Sequence, residues 1–130
     1  MQTRLVRFAL VADAIATAAT GALMAAAAGL LADFTGIPAT FSMPVGLGLI
    51  AFAAFVGWVS SRVDISRGLT MLVVGINALW VLGSVAVMAM GVWPLSMLGV
   101  VFVIVQAAAV AILAILQEVG LGRASARAAA

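Results

Sequence analysis

Asp13 is the residue in this chain best placed to do chemistry, because it sits well inside an apolar run from Leu5 to Leu31. An ionised carboxylate in hydrocarbon costs at least ~2.5 to 3.5 kcal/mol, so an aspartate there should face other helices or water, or be protonated. On a helix, Asp13, Thr17, Thr20 and Met24 fall in one narrow stripe. Gly21, Ala25 and Gly29 form a small-xxx-small edge beside it, which permits close approach of a second helix. Two later apolar runs carry isolated hydrogen-bonding groups. Asn77 and Ser84 share one face with Trp80 nearby, and Gly99, Gln106 and Gln117 align on another.

Depth links these groups. At 1.5 Å per residue, Asp13 lies ~12 Å into its run, and Asn77 lies equally far from Leu69. Gln106 enters from the opposite side, ~16 Å beyond Leu95, which brings it to nearly the same level of a ~30 Å core. Asp13, Thr17, Asn77, Ser84 and Gln106 are therefore the candidate intramembrane polar layer. Such groups either fasten helices together, at ~0.6 to 2 kcal/mol each, or meet water, a proton or a ligand.

Little other chemistry is available. Cysteine, histidine, tyrosine and lysine are absent, which removes disulfides, thiolate and imidazole metal ligands, Schiff bases and imidazole acid/base catalysis. No phosphate-binding glycine loop, paired inward carboxylates or nucleophile–base pair is present. The seven methionines are scattered, as packing residues would be. The expectation is a non-enzymatic protein with no catalytic residues, no cofactor and no metal site. Six arginines against four acids give a net charge of +2, without the clustered footprint of a nucleic-acid binder.

The elements that must position the polar groups follow from composition. Of the 130 residues, 67% are hydrophobic and 8% charged, more apolar surface than a soluble domain of this size can cover. Apolar runs at about 5–31, 45–60, 69–90 and 95–116 match the ~20 residues that cross a bilayer. The first is too long for a signal peptide's ~7–15-residue apolar region, and Asp13 interrupts it. Gly36, Pro38 and Pro44 punctuate a first loop from Asp33 to Met43; Asp64 or Ser66 can cap the third helix, and Pro94 suits the first turn of the fourth. Residues 120–130 read as a small-residue-rich flexible tail. The predicted fold is an all-α, four-transmembrane-helix bundle forming a single integral membrane domain over 1–130. Arg4, Arg7, Arg62, Arg67, Arg123 and Arg127 all lie on one side of such a bundle, so the positive-inside rule puts both termini in the cytoplasm.

A shift of 64 residues lays Asp13 on Asn77, Thr20 on Ser84 and Met24 on Met88, a weak signal of two parallel helical hairpins. Through Gly75-Ile76-Asn77-Ala78-Leu79-Trp80-Val81, and a fourth helix ending Leu116-Gln117-Glu118-Val119-Gly120-Leu121-Gly122-Arg123, the chain resembles small uncharacterised bacterial four-helix integral membrane proteins. That resemblance implies a multi-pass protein of the bacterial inner membrane. An acid in the first of four helices is also similar to the small multidrug resistance transporters, which implies drug/proton exchange at Asp13. The acid here is an aspartate where that family carries a glutamate, and no tyrosine accompanies it.

Two functions of different class follow. The first is a bundle embedded in the lipid bilayer that forms a homo-oligomer or serves as an accessory subunit of a larger membrane complex. The second is a small homo-oligomeric transporter or channel using Asp13.

Overall fold

Long apolar sequences fold as helices in a bilayer because a helix satisfies every backbone group within its own segment. The computed structural model follows this rule, with α1 Arg4–Ala26, α2 Ala28–Thr35, α3 Ala39–Ser61, α4 Arg67–Ala89 and α5 Met97–Ala129. It describes residues 3–129, with side chains placed through residue 124; the side chain of Arg127 falls beyond that limit. Four helices are long and apolar enough to cross a membrane, Arg4–Ala26, Ala39–Ser61, Arg67–Ala89 and Met97–Ala124. The protein is an all-α bundle of four long apolar helices.

Four boundaries differ from those the sequence predicts. The first run is two helices, broken at Ala27 (φ −113°, ψ 29°), whose N–H still bonds to Leu23 O. Ala25 to Ala28 are all alanine, so no residue type marks the bend. The first loop shrinks to Gly36, Ile37 and Pro38, because α3 begins at Ala39 and carries Pro44 inside it. Pro44 falls early in α3, where few intrahelical hydrogen bonds precede it. Gly36 adopts φ +83°, a left-handed cap that favours glycine. The last helix runs on through Gly120–Ala129 instead of ending at 116. Its alanine- and arginine-rich final turns have high helix propensity, and ~50 Å of helix exceeds a ~30 Å core. It also starts later than Pro94. Ser96 precedes it, and the Ser96 hydroxyl accepts from Gly99 N at 3.1 Å.

Glycine sets the helix crossings. A Cβ on Gly46 would stand 2.6 Å from both Gly21 O and Ala25 N, so α1 and α3 touch backbone to backbone along the edge that Gly21 and Ala25 form. Gly29, the third member of that edge, faces open space. Helix α5 docks through two more glycines, Gly99 against Thr35 and Gly120 against Val6. The latter contact brings the start of α1 and the end of α5 to the same end of the bundle.

That end is the arginine-bearing one. Arg7 donates to the carbonyls of Ser60, Arg62 (2.9 Å) and Val63 (3.2 Å), placing a cation on the unpaired carbonyls at the α3 C-terminus. Arg62 lies 5.3 Å over the Trp58 ring. Ser66 caps α4 by accepting from Leu69 N at 3.2 Å. Just inside, Val6, Leu10, Val56, Val59, Val73 and Leu121 form a continuous apolar core.

The two hairpins are packed unequally. Helix α1 lies along α3 and α5 along α4, while α1 also packs on α5 and the equivalent pair, α3 and α4, scarcely touch. A symmetric duplication would make the two cross-pairs alike. The gap between α3 and α4 leaves space in the half of the bundle away from the arginines.

Candidate functional site

The polar groups divide into two tiers instead of one layer. The deeper tier centres on Asp13, which is 1% exposed. Its Oδ2 accepts from Asn77 Nδ2 at 2.7 Å and from Gln117 Nε2 at 2.8 Å, and its Oδ1 accepts from Thr17 Oγ1 at 2.9 Å. Asn77 Nδ2 also approaches Gln117 Oε1 at 3.4 Å. Asn77 and Gln117 are 3% and 0% exposed, so the cluster lies inside the bundle. One carboxyl thus joins α1, α4 and α5.

The second tier joins only α4 and α5. Trp80 Nε1 donates to Gln106 Oε1, and Gln106 Nε2 donates to Ser84 Oγ at 3.0 Å and to Val103 O at 2.9 Å. Ser84 Oγ in turn donates to Trp80 O at 2.8 Å. Ser84 is seven residues beyond Asn77, about 10 Å along α4. Asp13, Thr17 and Asn77 therefore come together, Ser84 and Gln106 come together, and Gln106 does not reach Asp13.

Gln117 completes the deeper tier and is absent from the predicted layer. Its alignment with Gly99 and Gln106 on one face is visible in the sequence, but its place beside Glu118, past the last unbroken apolar residue, puts it at the headgroups. The length of α5 reverses this, because the helix continues through Ala129 and keeps Gln117 inside.

Two of the cavities between the helices are lined by Gln106. A small one of about 80 Å³ reaches from Asp13, Thr17 and Asn77 up to Thr20, Trp80 and Gln106. A larger one of about 290 Å³ continues from Thr20, Trp80 and Gln106 toward Phe41 and Trp93, whose rings meet at 4.5 Å between centroids, tilted by 58°. Thr20, Trp80 and Gln106 line both. No charged side chain other than Asp13 lines either cavity.

This arrangement can fasten three helices and hold small or lipophilic molecules in its upper half. Among the described residues no group of histidine, cysteine and acidic side chains is set to hold a metal ion. No family model, curated protein sequence or solved structure matches the chain.

Proposed function

We propose that this chain is a non-enzymatic, multi-pass protein of the bacterial inner membrane, acting as an oligomeric or accessory subunit of a larger membrane complex. The observation that carries the reading is the state of Asp13. Both carboxyl oxygens accept from donors of the same chain, so the acid already holds α1, α4 and α5 together. The outer surface is free for partners: α4 is largely exposed, and nothing lies within 4 Å of the position a Cβ would take on Gly75. Small residues on an exposed apolar helix let another helix approach closely. The arginine distribution supports cytoplasmic termini, and the likeness to small bacterial four-helix membrane proteins supports the inner membrane.

Native mass spectrometry of the complex extracted in mild detergent tests this. A mass above that of one chain in its detergent shell is expected, and a strictly monomeric species that retains function in liposomes would overturn it. A second reading, a homo-oligomeric transporter or channel using Asp13, draws support from the two cavities that lead toward that residue. It requires a homo-oligomer whose proton-coupled flux disappears in Asp13→Asn, whereas the subunit reading expects a different chain in the complex.

A further inference from the structure

The larger cavity differs from ordinary packing space in what its polar residues leave unoccupied. Five hydrogen-bonding side chains line it: Thr20, Trp80, Ser84, Gln106 and, in the connection before α5, Trp93. Trp80, Ser84 and Gln106 satisfy one another and the nearby backbone, so toward the cavity they contribute chiefly apolar surface. Thr20 does not. Thr35 and Thr70 bond to the carbonyl four residues back and Thr17 bonds to Asp13, whereas Thr20 has no hydrogen-bond partner among the described residues. A free hydroxyl within hydrocarbon is costly unless something supplies a partner.

We propose that this cavity is a binding site for a neutral lipophilic molecule bearing a single hydroxyl or carbonyl oxygen, with that oxygen bonded to the Thr20 hydroxyl and the apolar body lying toward Phe41, Trp93 and Phe102. The ligand is neutral because no charged side chain lines the cavity and burying an unpaired charge is prohibitive. Its polar atom is placed at Thr20, the free hydroxyl between the helices, while the indole N–H of Trp93, in the connection before α5, lies at the far end of the cavity. Its size is modest, since about 290 Å³ stands at the lower end of the ~300 to 1,000 Å³ of small-molecule sites. Entry from the bilayer is available where α3 and α4 scarcely touch.

The test uses the protein's own fluorescence. Trp80 and Trp93 both line the cavity, and Trp58, at the arginine end, is removed by Trp58→Phe. This variant, in lipid nanodiscs, is titrated with 10-bromodecan-1-ol, whose bromine quenches indole emission, and in parallel with 1-bromodecane. The alcohol should quench saturably, at a half-saturating mole fraction about 3- to 10-fold below that of the bromoalkane, the worth of one neutral hydrogen bond. Adding Thr20→Val should raise the alcohol's value to that of the bromoalkane and leave the bromoalkane unchanged. Adding Val87→Phe, which fills part of the cavity, should weaken both. Linear quenching that is the same in every variant would mean partition into the bilayer alone and would overturn the site. Saturable quenching with no preference for the alcohol, unchanged by Thr20→Val, would mean the cavity takes acyl chains and would overturn the assigned ligand class.

Discussion

Replacing Asp13 separates fastening from chemistry, because the three donors around it fix what each substitution can satisfy. Two of them, Asn77 Nδ2 and Gln117 Nε2, converge on Oδ2, while the Thr17 hydroxyl donates to Oδ1. In Asp13→Asn the amide oxygen can stand at Oδ2 and keep both interhelical bonds. Its NH2 then stands at Oδ1, where the Thr17 hydroxyl turns from donor to acceptor. Both interhelical bonds persist and one amide N–H is added without a partner, so the cost should be within about 1 kcal/mol. Asp13→Leu has similar shape but leaves two buried amides without their acceptor. At ~0.6 to 1.7 kcal/mol per interhelical bond in a membrane protein, the loss is about 1 to 3.5 kcal/mol. Asn77 and Gln117 can close their 3.4 Å contact in compensation, which brings the expected loss to about 2 kcal/mol. Reversible unfolding in mixed micelles titrated with sodium dodecyl sulfate, followed by helical circular dichroism, measures both variants. If Asp13→Asn costs as much as Asp13→Leu, the carboxyl is doing something an amide cannot, and the fastening account fails.

Three further outcomes follow from the same geometry. Gly46→Val should prevent stable packing of α1 on α3, because its Cβ would stand 2.6 Å from backbone atoms, whereas Gly48→Ala, facing open space, should be neutral or gain up to ~1 kcal/mol of helix propensity; the same unfolding titration distinguishes them. Gln106→Leu should remove the acceptor of the Trp80 indole and shift or broaden tryptophan emission in a Trp58→Phe background, while Gln117→Leu should lower stability with little spectral change. Reporter fusions at residue 64 and at the C-terminus should read cytoplasmic and those at residues 36 and 93 external; an external C-terminus would refute the arginine argument.

Much of the bundle is legible in the chain because apolar length and arginine placement are long-range, redundant signals. The joining of Asp13 to Asn77 and Thr17 is legible for a related reason: an isolated polar group inside an apolar helix must find another. The single layer is not, since depth counted from the first apolar residue assumes that every helix starts at the membrane edge and spans it once. Helix α5 breaks that assumption by beginning at Met97 and running through Ala129, which moves Gln106 up to Trp80 and Ser84 and draws Gln117 down to Asp13. The bend at Ala27 is written in no residue type. It coincides with Thr35 reaching α5, where Thr35 O accepts from Ser96 N at 3.0 Å and a Cβ on Gly99 would collide with that carbonyl, so tertiary contact stands where a local signal is missing.

The two tiers give the bundle a polarity along its axis. Toward the arginines, Gly120 on Val6 joins α5 to α1, the valine-rich core spans all four long helices and the bonds to Asp13 span three, so the helices are held at one spacing. Toward Phe41 and Trp93, the Trp80–Gln106–Ser84 cluster ties α4 to α5 alone, and no comparable bond draws α4 to α3. Polar groups that bond within one helix pair leave the opposite pair with dispersion only, which is weak where surfaces are not in contact. The cavity is thus a consequence of where the hydrogen bonds are placed. A substitution that moved a donor from α5 to α3 at the level of Ser84 would draw the helices together and close it, whereas the Asp13 tier could lose a bond without changing the space above.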